Sequence, residues 1–158
     1  MRLTKDFLLS EFIRTNKGAD LQEKNIAYAA DYVEDLRRVA EQLQLVRDFF
    51  QAPVIVTSGL RCPELNAAVG GRPHSAHTLG LAADWHVKGV DLMVAYAWAA
   101  DHLHGAQLIY ERPTEESRPW IHLGLPRDPA LVLGPMERLI FELGKWRRYD
   151  PARDLRPL

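Results

Sequence analysis

The sequence predicts an α+β domain, a small and mostly antiparallel sheet flanked by helices. Three observations carry that expectation. Apolar residues recur at helical spacing from Glu23 to Phe50, with charges between them. Short β-prone runs follow at Val54–Thr57, Ala82–Val87, Gln107–Glu111 and Trp120–Gly124. The chain also lacks the regular strand–helix alternation that parallel βαβ winding requires.

A short first helix runs through Phe7, Leu8, Phe12 and Ile13, capped by Thr4 or Ser10 and ended by Asn16, Lys17 and Gly18. Ile26, Ala29, Val33, Leu36, Val39, Ala40, Leu43, Val46, Phe49 and Phe50 then trace one long amphipathic helix, weakest at Gln42 to Gln44. Pro53 ends it, and Val54, Ile55, Val56 and Thr57 read as a buried strand. Ser58 and Gly59 form the exit from this strand. Pro63, at a first helical position, opens a short helix closed by Gly70 and Gly71.

In the strand Ala82 to Val87, Ala82, Asp84 and His86 share one face while Ala83, Trp85 and Val87 share the other. Asp91 caps or begins a helix through Leu92, Ala95, Tyr96, Ala99 and Leu103. Gln107 to Glu111 and Trp120 to Gly124 are two strands joined by a polar loop containing Pro113. A last helix is expected over Met136 to Leu143, before a basic, proline-containing end. The 158 residues suit one domain, with a helical part over 1–50, a core over 54–124 and a C-terminal helix and tail over 125–158.

Twenty basic and 21 acidic residues give a formal charge of −1, which implies no general field for nucleic acid or an anionic membrane. Cys62 is the single cysteine, so neither an internal disulfide nor a thiolate metal site can form. Arg2, Lys5, Asp6 and Glu11 interrupt the N-terminus where a secretory signal would be apolar. No apolar stretch approaches the roughly 20 residues of a membrane span. The expectation is a soluble product made in the cytoplasm.

The chemistry concentrates in Ser75 to Asp84. His77 and Asp84 lie seven residues apart with Gly80 between them and small residues leading into the aspartate, as in a loop that delivers two metal ligands. With thiolates excluded, imidazole and carboxylate remain. In the apolar run Trp120 to Gly124 the one polar interior residue is His122, the third ligand. Three protein ligands with a free fourth position are the composition of a catalytic zinc site.

Ser58-Gly59-Leu60-Arg61, Pro63-Glu64-Leu65-Asn66, Gly70-Gly71, Ser75-x-His77-x-x-Gly80-x-Ala82-x-Asp84 and Trp120-x-His122 together resemble the zinc D-alanyl-D-alanine carboxypeptidase family. That family includes VanX-type dipeptidases and phage L-alanyl-D-glutamate endopeptidases and has the hedgehog/DD-peptidase fold. The resemblance spans roughly residues 3 to 124. It implies one Zn²⁺ per chain on His77, Asp84 and His122, a substrate contact at Arg61, and peptidoglycan stem peptides as the partner, with no nucleic acid and no membrane insertion. It also implies action on the cell wall after release, as from a phage or prophage.

One departure concerns the general base. Several members carry an acid three positions before the last histidine, where this chain has Pro119. Glu111 is the first choice, because some related sequences place a glutamate there; Glu115, Glu116 and His86 are the alternatives. The competing function is a zinc-keeping wall-binding or phage structural module without hydrolysis, which a displaced base would permit.

Overall fold

The structure, a computed structural model, describes residues 1–133 and 136–155. Helix α1 (Leu9–Ile13) begins where the Glu11 carboxylate accepts from the Leu8 N–H at 2.7 Å, so neither Thr4 nor Ser10 caps it. Helix α2 (Ala19–Tyr28) passes through a 3₁₀ turn, Ala29–Tyr32, into α3 (Val33–Phe50). The single long helix of the sequence reading is therefore two, and the break lies at Ala29–Tyr32 rather than at Gln42 to Gln44. A 3₁₀ turn tightens the helical path without reversing the apolar face, so spacing alone does not reveal it. Gln42 and Gln44 instead face outside partners: Gln42 accepts from the His104 N–H, and Gln44 binds Thr4 and Asp6.

Six strands make one sheet. They are β1 (Val54–Ser58), β2 (Ala82–Val87), β3 (Gln107–Arg112), β4 (Trp120–Gly124), β5 (Glu137–Glu142) and β6 (Lys145–Arg148), in the order β1-β2-β4-β3-β5-β6. All neighbours pair antiparallel except β3 and β5, which run parallel. Between β1 and β2 lie α4 (Pro63–Ala68), with Pro63 in its first turn, and a 3₁₀ turn over Ala76–Leu79. Helix α5 (Leu92–His102) follows β2, its Met93 and Val94 N–H groups capped by the Asp91 carboxylate as the sequence suggested. Helix α6 (Pro151–Asp154) ends the described chain.

The helix expected over Met136 to Leu143 is a strand. Leu139, Ile140 and Phe141 are β-formers, and Leu143 and Gly144 both take positive φ, 51° and 78°, as the two-residue turn of a tight hairpin requires. Tyr96 on α5 donates to the carbonyls of Leu108 and Leu139, which ties β5 to the body of the sheet.

One face of the sheet is the core. Ala83, Trp85, Leu108, Ile121, Leu123 and Ile140 are inaccessible to solvent and form one cluster with Leu36, Val39, Leu43 and Val46 of α3 and Ala95, Tyr96 and Ala99 of α5. Strand alternation sends Asp84 and His122 to the other face. No helix among the described residues is long and apolar enough to cross a membrane.

Candidate metal centre

The register of the sheet assembles the site. Asp84 on β2 lies directly opposite His122 on β4, and His122 lies opposite Ile109 on β3, so all three project from one face. Two residues further along β3, Glu111 lies opposite Trp120 and beside Phe141 of β5, which in turn pairs with Trp146 of β6. A row of Trp120, Glu111, Phe141 and Trp146 therefore crosses four strands next to the Asp84–His122 pair.

His77 arrives from the 3₁₀ turn, where the Ser75 hydroxyl accepts its backbone N–H. Its Nδ1 lies 2.7 Å from the Gly59 carbonyl. A carbonyl only accepts, so Nδ1 carries the proton and Nε2 presents its lone pair. From there Nε2 is 3.3 Å from His122 Nδ1 and 3.3 Å from Asp84 Oδ1, while His122 Nδ1 and Asp84 Oδ1 are 2.9 Å apart. Donors bound to a tetrahedral zinc at about 2.0–2.1 Å lie roughly 3.3–3.4 Å from one another. The triangle has nearly those edges, so the three residues fit such an ion and can hold it.

The electrostatics agree. Burial and nearby Arg61 hold the His77 pKa down against Asp84, so its imidazole is neutral, as a ligand must be. Burial pushes the Asp84 carboxyl up, but the hydrogen bond from His122 opposes it and the carboxyl lies below the ordinary carboxylate range.

Arg61 closes the back of the site. Its Nη2 donates to Asp84 Oδ2 at 2.9 Å and its Nε to the Ser58 hydroxyl at 2.9 Å. Oδ1 is left to face the two histidines. The segment that carries Arg61 is fixed by Asn25, a fully buried side chain on α2 that donates to the carbonyls of Ile13 and Leu60 and accepts from the Cys62 N–H. Gly59 must be glycine here, since a Cβ would stand 2.3 Å from the Phe12 carbonyl oxygen. Asn25 carried no chemical signal in the sequence, where it reads as one more polar helix position.

A cleft of about 740 Å³ opens over the centre, lined by Arg61, His77, Asp84, Glu111, Trp120 and His122 and walled on one side by Phe141 and Trp146. Burial first, then the neighbouring Asp84, raises the Glu111 pKa, while His122 and Arg61 oppose the rise. Glu115 and Glu116 are exposed on the β3–β4 loop, away from the cleft lining. His86 shares the Asp84 face but does not line the cleft either. Of the four candidate bases, Glu111 is the one brought to the metal centre. Phe141 was missed because its segment was read as a helix, and Trp146 because it fell in the basic end beyond it; the β-prone run ending in Leu143-Gly144 was the available signal.

The family model for peptidase M15 matches residues 2–124. The chain belongs to the peptidase M15 family. This bears out the resemblance carried by the Ser58–Arg61, His77–Asp84 and Trp120–His122 motifs, and the α+β architecture is consistent with it. No curated protein matches the chain. In this M15 protein the hairpin with Phe141 and Trp146 lies beyond the matched residues, so part of the cleft wall comes from outside the family core.

Proposed function

We propose that the chain is a zinc-dependent hydrolase of peptidoglycan stem peptides, cutting a D-Ala-D-Ala or an L-Ala-D-Glu bond. His77, Asp84 and His122 would hold the zinc. When bound, zinc polarises a scissile carbonyl and acidifies water.

The chain's own groups supply the rest of an amide hydrolysis. Glu111, within the cleft, accepts the proton of the attacking water and returns it to the departing amine, a role for which a raised carboxyl pKa is suited. Arg61 is held by Ser58 and Asp84 through Nε and Nη2, and its Nη1 makes no hydrogen bond among the described residues. That remaining edge suits a substrate carboxylate or the developing oxyanion. The aromatic wall excludes water from one side of the bound chain.

The observation that carries this reading is the carboxylate of Glu111 on the same sheet face as Asp84 and His122, lining the cleft with His77 and opposite Trp120, next to Pro119. A module that kept zinc only for binding has no use for it. Mass spectrometry of muropeptides incubated with the zinc-loaded protein is the test. New termini that vanish with chelator and return with zinc are expected, and their identity reports the bond. Intact muropeptides throughout would favour the non-hydrolytic module.

A further inference from the structure

A second cavity, of about 430 Å³, adjoins the cleft and shares Arg61 and Val69 with it. Its other wall is the chain between α1 and α2. Arg14 and Lys17 line it, with Thr15, Thr57 and Ser58, and its lining includes no acidic residue. Among the described residues neither Arg14 nor Lys17 has a carboxylate within 4.0 Å, although the whole chain is slightly acidic. Arg61 is balanced by Asp84, but Arg14 and Lys17 beside it repel one another without a counter-charge, and the balance is restored by an anion.

The Arg14 guanidinium and the Lys17 backbone are held in place. Arg14 Nη2 donates to the Val56 carbonyl at 2.8 Å, which lays the guanidinium along β1. The Gln22 side chain accepts from the Thr15 N–H and donates to the Ile13 carbonyl, and the Thr15 hydroxyl accepts from the Lys17 N–H. The same stretch is anchored to the Arg61 segment, since the Leu60 N–H donates to the Phe12 carbonyl at 2.8 Å. A guanidinium fixed in advance, as that of Arg14 is, loses little entropy on meeting a ligand.

We propose that this cavity is a substrate subsite in which Arg14 and Lys17 take a free carboxylate of the peptide whose reacting amide lies over the metal centre. The proposal rests on the peptidase reading for the nature of its ligand, and it adds to the carboxylate contact of Arg61 a further charge selection that the three ligands and Glu111 do not supply. A peptide crossing Arg61 runs from the aromatic side of the cleft into the cationic cavity. Amidation of its carboxylates removes the charge and leaves an NH₂ group facing two cations, so amidated peptides are disfavoured.

The test uses two uncleavable stem-peptide analogues, one with free carboxylates and one with carboxamides, titrated calorimetrically into zinc-loaded wild type and the Arg14→Gln/Lys17→Gln double variant. Wild type is expected to bind the free acid about tenfold or more tightly than the amide, the size of a charge-assisted hydrogen bond. In the double variant that preference is expected to fall to about threefold or less, with zinc content and circular dichroism unchanged, and Arg61 accounting for what remains. An equal preference in both proteins, or none in wild type, overturns the subsite. Selective binding without hydrolysis of any muropeptide leaves the subsite standing and removes the peptidase reading; hydrolysis with no preference for the acid does the reverse.

Discussion

Arg61 Nη2 and Asp84 Oδ2 are 2.9 Å apart, and their pairing decides which carboxylate oxygen faces His77 and His122. Both side chains are largely buried, at 16% and 10% exposure, so water does not replace the bond when it is lost. Arg61→Lys keeps the charge but not the fork that spans Ser58 and Asp84. Zinc affinity is expected to fall about 10- to 100-fold, as for other partners of metal ligands. Competition with a chromophoric chelator measures it, and wild-type affinity would show that Asp84 is oriented without Arg61. Turnover should fall at least about tenfold, a loss of roughly 1.4 kcal/mol in the transition state.

Glu111→Gln preserves shape while removing the proton acceptor. The expected result is full zinc content, unchanged folding and a rate lowered on the order of 10²-fold or more. Glu115→Gln and Glu116→Gln, on the exposed loop, should retain the wild-type rate. If Glu111→Gln hydrolyses normally, the base lies elsewhere, and His86→Gln is the next variant to assay.

Zinc held by His77, Asp84 and His122 would join three elements, the 3₁₀ turn, β2 and β4, and a ligand that binds only the folded chain stabilises it by mass action. Chelation should therefore lower the melting temperature, and zinc should restore it. Elemental analysis should find about one zinc per chain in wild type. His122→Ala and Asp84→Ala should lose both the metal and the thermal response to zinc; undiminished occupancy in the two variants would refute the ligand set.

Asn25→Ala leaves the Ile13 and Leu60 carbonyls and the Cys62 N–H without their buried partner. Orphaned buried groups cost about 1–3 kcal/mol each, and partial relaxation brings the expected loss to roughly 3 kcal/mol. Urea unfolding measures this directly. Because Asn25 also anchors the segment bearing Arg61, activity under folded conditions should drop as well, which a remote helix position would not cause.

Trp146 is half exposed and packs against Phe141, with ring centroids 4.6 Å apart and planes tilted by 32°, at the edge of the cleft. Trp146→Ala removes a wall without disturbing the core or the metal ligands. KM for a stem peptide should rise severalfold while kcat and zinc content hold, as for a contact made equally in the ground and transition states. Unchanged KM would mean that the substrate does not reach the hairpin.

The trio His77, Asp84 and His122, which the fold brings together, was legible in the sequence because few residue types bind zinc and the chain offers few of them in strand-like or glycine-flanked settings. The strands carrying Asp84 and His122 were legible for a related reason: a period of two in a short apolar run leaves one polar position facing outward. Three things needed the tertiary structure. The break at Ala29–Tyr32 preserves the apolar stripe, so only the packing of Asn25 and Tyr28 against distant carbonyls exposes it. Glu111 acquires its place from the β3–β4 register, which sets it opposite Trp120, next in sequence to Pro119. The Arg61–Asp84 bond spans 23 residues of sequence, so no local pattern announces it. Local pattern reports which face a side chain takes; which side chain stands across from it is settled by strand register and helix docking, whose energies come from contacts distant in the chain.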